Sequence, residues 1–204
     1  MSRTVPEHVE SMRSVFQAYR NANLRLNPVK CHLFTESAEY LGHVVTKDGL
    51  APCKDYVAVV KDWPMPTTRT ALRAFVGKVS YYRKFIRNFA AIAGPLLERL
   101  KSKDSELKDN EEFTVTDEMR KSFEDLKSRL LKAPILAYPR FHELDKCPFL
   151  VSTDWSAENN AIGGTLSQRQ DNHERVICYA ARRLSPAQRN YSATKSVIQP
   201  YYRI

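Results

Sequence analysis

Between Pro66 and Lys101 the sequence fits one kind of local structure. Leu72, Phe75, Val76, Val79, Tyr82 and Ile86 recur at steps of three and four residues, the period of a helix turning about 100° per residue. Phe85 strays from this stripe. Pro64 and Pro66 close off whatever precedes it, and Thr67 or Thr68 can supply the N-cap oxygen. The pattern predicts one helix carrying these residues through Arg87 and a second, short helix over Ile92–Leu100. Gly94-Pro95 reads as a stop signal within the stretch. Arg69, Arg73, Ser80, Lys84 and Arg87 fall within an arc of about 60° beside the apolar stripe. The stretch carries eight Lys or Arg and one acid, Glu98, a net of +7 out of +9 for the whole chain. Such a face calls for a polyanion.

The 204 residues suffice for one large domain or two small ones, and 43% hydrophobic residues allow a real core. Charge is uneven. Residues 1–101 carry a net of +8 and residues 102–204 a net of +1, so the polyanion expectation belongs to the first half. Cys31, Cys53, Cys147 and Cys178 are far apart and form no C-x-x-C, which argues against a zinc site or a disulfide scaffold and for free, buried thiols. The N-terminus has no apolar signal-like region, and no run reaches the roughly 18 apolar residues of a membrane span. The expectation is a soluble, intracellular protein, cytoplasmic or nuclear, with no membrane partner.

Elsewhere the pattern predicts a helix over Glu7–Asn21 with Val9, Met12, Val15, Phe16 and Tyr19 on its apolar side. Strands are predicted at Lys30–Phe34 and Glu39–Val45, the latter turning at Asp48-Gly49. Val57–Trp63 reads as a short helix or an extended apolar piece, and Lys101–Glu112 as an exposed charged linker. Thr116 caps a third helix with Met119, Phe123, Leu126 and Leu130 buried, ending at Ala133-Pro134. Pro148–Asp154, Ala161–Gln168 and Arg175–Ala180 are three successive strands. Ser185-Pro186-Ala187-Gln188 is a capping box opening a last helix to about Ile198. Gly163-Gly164 reads as close backbone packing, since no helix follows it to make a phosphate loop.

Seven segments together resemble the C-terminal part of the reverse transcriptase of gypsy-type LTR retrotransposons, running into its RNase H domain. They are LRLNPVKC (24–31), YLGHVVTKDGL (40–50), VKDWPMP (60–66), LRAFVGKVSYYRKFIRNFAAIAGPL (72–96), FEDLKSRLLKAPILAYP (123–139), VSTDWS (151–156) and CYAARRLSPAQRNYSAT (178–194). The resemblance implies an α+β fold in four parts. Residues 1–65 resemble the end of a palm with a primer-grip hairpin centred on Leu41, Gly42 and His43. Residues 66–101 resemble the thumb and 102–146 a linker and connection. Residues 147–204 resemble a truncated RNase H-like domain, a three-stranded antiparallel sheet with one helix.

The implied partner is an RNA–DNA or DNA template–primer duplex. Arg73, Gly77 and Tyr81 match thumb positions facing the minor groove, with Arg69, Lys84 and Arg87 as further contacts. His43 on its own reads more readily as a packed histidine than as a ligand. Of the adjacent tyrosines, one is core and the other, Tyr81, is the duplex contact.

Nucleotide addition and RNase H cleavage both need two divalent metals, Mg2+ in the intact parent, held by several carboxylates. The polymerase carboxylates of the family, an early palm aspartate and a Tyr-x-Asp-Asp turn, are not in this sequence, which has no Asp-Asp pair. Asp154 matches the first RNase H aspartate, followed here by Trp155 where a small residue is usual. Val197 stands where the next metal-binding glutamate belongs, and the later aspartates are expected beyond Ile204. Asp154 is thus the one relic catalytic and metal-binding candidate, and it is insufficient alone. The expectation is a fragment that keeps duplex-gripping parts, lacks complete polymerase and nuclease sites, and needs no cofactor of its own. The tail Lys195–Ile204 leaves the family pattern abruptly, as a frameshift or misjoined exon would. The alternatives are a component of a split or longer active enzyme completed by the missing palm and fingers, or a domesticated interaction module.

Overall fold

The computed structural model describes residues 4–101, 110–156, 160–185 and 188. The chain divides into two compact units, Met1–Ala38 and Glu39–Ile204.

The first unit holds helix α1 (Val5–Asn21) and a single 3-10 turn, Pro28–Lys30. Thr4 caps α1, its hydroxyl accepting from the Glu7 N–H at 3.4 Å. No residue of α1 is buried, and Val15, Phe16 and Tyr19 of its apolar stripe lie open to solvent. The strand predicted at Lys30–Phe34 does not form. Asn27 accepts from the Val29 N–H at 3.0 Å, and with Pro28 in the first position it winds the chain into the 3-10 turn instead.

The second unit is built on one apolar core. The predicted strand Glu39–Val45 is broken at Leu41-Gly42, where φ is +47° and +73°, into β1 (Ser37–Tyr40) and β2 (His43–Thr46). β2 and β3 (Gly49–Pro52) form the hairpin that Asp48-Gly49 announces, paired from His43↔Pro52 to Thr46↔Gly49, in a sheet of order β1-β2-β3. Leu50 and Leu136 exchange both backbone hydrogen bonds at 2.8 Å, and the next residue, Ala137, donates to the Val176 carbonyl at 2.8 Å.

Helix α2 (Lys54–Lys61) precedes α3 (Arg69–Tyr81), which Thr68 caps by accepting from the Ala71 N–H at 3.2 Å. The predicted long helix ends at Tyr81, not Arg87. A 3-10 turn over Arg83–Phe85 follows, then α4 (Phe89–Ile92) and α5 (Gly94–Lys101). The tighter 3-10 winding carries Phe85 into the core at 2% exposure, correcting the stray position it has on an unbroken helix. Gly94-Pro95 opens α5 and does not stop a helix. This suits proline in a first turn, where its missing N–H costs nothing.

α6 (Asp117–Leu131) is capped by Thr116 and buries Met119, Phe123, Leu126 and Leu130 as its period predicts. Phe75 of α3 packs on Phe123 with ring centroids 4.5 Å apart, and Trp63 meets Phe75 edge-on at 6.0 Å. Each large apolar side chain sealed in this cluster is worth about 1.5–3 kcal/mol.

β4 (Phe149–Ser156), β5 (Ala161–Gln170) and β6 (His173–Arg183) form the predicted antiparallel meander, order β4-β5-β6. Asp171 and Asn172, at φ of +51° and +61°, make the two-residue turn between β5 and β6. Arg140 grips the Asp171 carboxylate through both terminal nitrogens, at 3.0 and 2.7 Å. Fully buried Gln168 is satisfied by the Arg140 N–H, the Arg140 and Cys147 carbonyls and Gln170. The Ser185–Gln188 capping box is made in both directions, at 3.1 and 3.3 Å. The linker predicted at Lys101–Glu112 and the last helix lie largely outside the described residues. No described helix is long and apolar enough to cross a membrane. The four cysteines are free, and Cys31 is exposed where a buried thiol was expected.

Candidate nucleic-acid interface

Arg69, Arg73, Gly77 and Tyr81 follow one another at four-residue steps along α3, so they share one face of the helix. The opposite side is the buried stripe of Leu72, Phe75, Val76 and Val79. Arg73 and Gly77 are exposed, Arg69 is half-buried, and Tyr81 is 51% exposed. Tyr82, one step on, is fully buried. The adjacent tyrosines therefore divide as expected between surface and core.

Gly77 stands out. Among the described residues, nothing outside its own helix backbone lies within 4 Å of where a Cβ would sit. A glycine inside a helix costs about 0.5–1 kcal/mol relative to alanine, and no neighbour among the described residues requires it.

The turn Leu41-Gly42-His43 is anchored to the end of this face. The Tyr81 hydroxyl donates to the Leu41 carbonyl. The Tyr82 hydroxyl donates to the Gly42 carbonyl at 2.8 Å, and the Cys53 N–H meets the same oxygen at 3.0 Å. Burial first, then neighbouring Tyr81, Cys53 and Tyr56, push the Tyr82 hydroxyl up to about 12. Lys78 lies 4.1 Å over the Tyr56 ring. Leu41 is 70% exposed at the tip of the turn.

His43 is only 9% exposed, its ring among Tyr81, Tyr82 and Phe85 with centroids 5.2–5.7 Å away. Its Nδ1 lies 3.0 Å from the Leu41 carbonyl, which makes Nδ1 the protonated nitrogen. Nε2 is buried and has no hydrogen-bond partner among the described residues. Burial lowers the His43 pKa, the Leu41 bond opposing and Lys84 adding to the shift. The ring is a packing element of the turn.

The structure thus brings together Leu41, Gly42, His43 and Tyr81, with Gly77, Arg73 and Arg69 in line along α3. It does not bring Lys84 and Arg87 onto that line, because the helix ends before them and they follow the 3-10 turn's path. Lys84 is half-buried, and Arg87 is exposed.

Asp154 lies apart, near the end of β4 and paired with Gly163 of β5. Asn88, in the left-handed region at φ +57°, begins α4 but leaves its N-terminus without a side-chain cap. Its Nδ2 donates instead to Asp154 Oδ2 at 3.1 Å. Its Oδ1 reaches so close to β5 that a Cβ on Gly163 would lie 2.1 Å from it. This is the close packing expected of Gly163.

Asp154 is the relic carboxylate of the sequence reading, expected to be insufficient alone for a metal. Among the described residues, the one group of three potential ligand atoms within 4.8 Å of one another is Glu39, Cys53 and Asp55, which excludes Asp154. In that group the Cys53 thiol donates to Glu39 at 3.4 Å. Sequence reasoning missed Asn88 altogether; the positive-φ tolerance of asparagine ahead of a short helix was the available signal.

Residues 115–202 match the family described as the RNase H-like domain found in reverse transcriptase, a span that takes in α6 as well as the meander. The retrovirus-related Pol polyprotein from transposon opus of Drosophila melanogaster is 35% identical over 189 residues, 91% of this chain and 18% of that protein. Its counterpart from transposon 297 is 36% identical, over 94% of this chain and 17% of that protein. The Tf2-3 transposon polyprotein of Schizosaccharomyces pombe is 30% identical over 95% and 14%. The chain therefore spans less than a fifth of the length of these relatives.

In fold it is similar to the foamy viral protease-reverse transcriptase in complex with RNA/DNA hybrid, with a TM-score of 0.77 and 20% identity over 98% of this chain and 26% of that one. For that protein in complex with dsDNA the TM-score is 0.76, again at 20% identity, over 98% and 40%. Residues 115–202 are thus an RNase H-like domain of reverse transcriptase, and the homologues of the chain are retrovirus-related Pol polyproteins and Tf2 transposon polyproteins.

Proposed function

We propose that this chain is the duplex-gripping part of a retroelement reverse transcriptase, with α3 as a thumb helix and Leu41-Gly42-His43 as a primer-grip turn. The observation that carries this reading is Gly77. It is an interior helical glycine with open space above it, flanked on one face by exposed Arg73 and Tyr81. A glycine with no internal reason, between a cation and an aromatic, suits close approach by a rigid external backbone. The net +7 of residues 66–101 supplies the attraction, and the similar foamy viral enzyme was solved with RNA/DNA hybrid and with dsDNA. In this reading α1 and β1–β3 end the palm, and α6 with the segment after it forms the connection to the RNase H-like meander.

RNA-directed DNA polymerase and RNase H activity are proposed for the parent enzyme, with Mg2+ as its metal. Within this chain we assign Asp154 no metal-dependent step. Its carboxylate is engaged by Asn88, and Val197 occupies the next carboxylate position of the family.

The test is a titration of the chain against an RNA–DNA hybrid at two salt concentrations. Phosphate contacts predict affinity that falls steeply with salt, by a slope of about −0.9 per neutralised phosphate. Arg73→Glu should weaken binding. Salt-independent binding, or an unaffected Arg73→Glu variant, would refute the reading.

A further inference from the structure

Beyond α3 the chain carries a second cationic feature. Arg83 and Lys84 of the 3-10 turn and Arg182 of β6 line one cleft of about 400 Å³ between the turn and the meander, with Cys178, Phe89 and Ile162 among its walls. The rest of its β-sheet wall is Tyr179 with Gly163, Gly164, Ala180 and Ala181, small residues beside which a flat group can lie close to the backbone. None of the described residues lining it is acidic. Among the described residues, neither Arg83 nor Lys84 has a carboxylate within ion-pair distance. Among the described residues, Arg182 donates to the neutral side chain of Gln188, at 3.2 Å, and has no ion-pair partner.

Lys84 is half-buried beside the Phe85 ring, at 5.3 Å. Burial lowers its pKa, the neighbouring Cys178 opposing. Cations withdrawn from water without a counter-anion are costly. Lys84 and Arg182 are partly withdrawn, and with exposed Arg83 they gather in one cleft of small-molecule size, which points to an anion as the missing partner.

We propose that the Arg83–Lys84–Arg182 cleft binds a phosphate group, carried either by a nucleic-acid backbone or by a free phosphate compound such as a nucleotide. Guanidinium forks and an ammonium are the donors that phosphate recognition uses, and an aromatic and aliphatic wall beside them accommodates an attached base or sugar. The site uses none of the outward residues of α3. It gives Lys84 a role different from a place on the thumb-helix face.

Cys178 is a built-in reporter, because it lines the cleft and is partly buried, whereas Cys31 is exposed. The full chain is alkylated with iodoacetamide alone, with inorganic pyrophosphate, and with a short RNA–DNA hybrid. Rates at each cysteine are read by peptide mass spectrometry and normalised to each variant's unliganded rate. Occupancy should slow Cys178 and leave Cys31 unchanged. Lys84→Gln and Arg182→Gln, each checked for an unchanged circular-dichroism spectrum, should raise the half-protecting concentration about tenfold, the scale of one charge-assisted hydrogen bond.

Protection by pyrophosphate marks a site for free phosphate compounds, and protection by the hybrid alone marks a backbone contact. Either outcome supports the site. Protection of Cys178 by neither probe overturns it, as does protection unchanged in both variants. Arg73→Glu separates the two readings: pyrophosphate protection that survives it leaves the cleft standing even where hybrid binding is lost.

Discussion

Gly163→Ala is the sharpest perturbation of the seam between α4 and the meander. The new Cβ would lie 2.1 Å from Asn88 Oδ1 and 3.2 Å from its Cγ, so the amide must swing away. In doing so it gives up its 3.1 Å bond to Asp154. Forcing an extra methyl into a packed seam costs about 1–3 kcal/mol. The lost bond adds about 0.5–1.5 kcal/mol, kept low because Asp154 is exposed. Replacing glycine returns about 0.5–1 kcal/mol by restricting the unfolded chain. The net is a destabilisation of about 2 kcal/mol, or a fall in Tm of roughly 4–8 °C for a chain of this length. Urea denaturation followed by circular dichroism measures it. Asn88→Gly, which keeps the positive φ without strain, removes the obstructing side chain. In that background Gly163→Ala should cost nothing further, a coupling of about 2 kcal/mol. Equal costs in the two backgrounds would show that the interlock does not hold the seam.

Other outcomes follow from the same geometry. Gly77→Ala should raise stability by about 0.5–1 kcal/mol, since space is open above it, while weakening hybrid binding in a fluorescence anisotropy titration. A variant that is more stable and binds equally well would remove the case for close approach. Tyr82→Phe should cost about 1–2 kcal/mol through its buried bond to the Gly42 carbonyl, and Tyr81→Phe less, because Tyr81 is half-exposed. The folded-state pKa of His43 is depressed, so on acidification the unfolded chain takes up the proton first. Stability should therefore fall as pH drops below about 6.5 towards the folded-state pKa. His43→Gln should remove that part of the slope; an unchanged slope would place it on other groups.

How much was legible depended on whether one local signal sufficed. α6 could be read completely, because Thr116 caps it and its four apolar residues hold the helical period to its end. The meander was legible from alternation, and the β2–β3 turn from Asp48-Gly49. The end of α3 was not, although Phe85 off the stripe was a sign of it; tertiary packing resolved that misfit by tightening the chain after Tyr82. The break at Leu41-Gly42 depends on two tyrosine hydroxyls forty residues away, which no local window contains. In the candidate interface, Arg73, Gly77 and Tyr81 share one line because all three lie within α3. Lys84 left it because a helical wheel assumes that the helix continues. Asp154 was identifiable by its neighbours in sequence, but its partner Asn88 lies 66 residues away.

The paired bonds between Leu50 and Leu136 also bear on synthesis. The β2–β3 hairpin is complete within a few residues of chain, yet the edge strand it presents has no cover until residue 136 has left the ribosome, 86 residues later. Ala137 then joins Val176 of β6, later still. At a translation rate of roughly 5–20 residues per second, the nascent hairpin waits several seconds with unpaired backbone groups exposed. That interval, not the finished fold, is when this chain is most open to misassembly with its neighbours on a polysome.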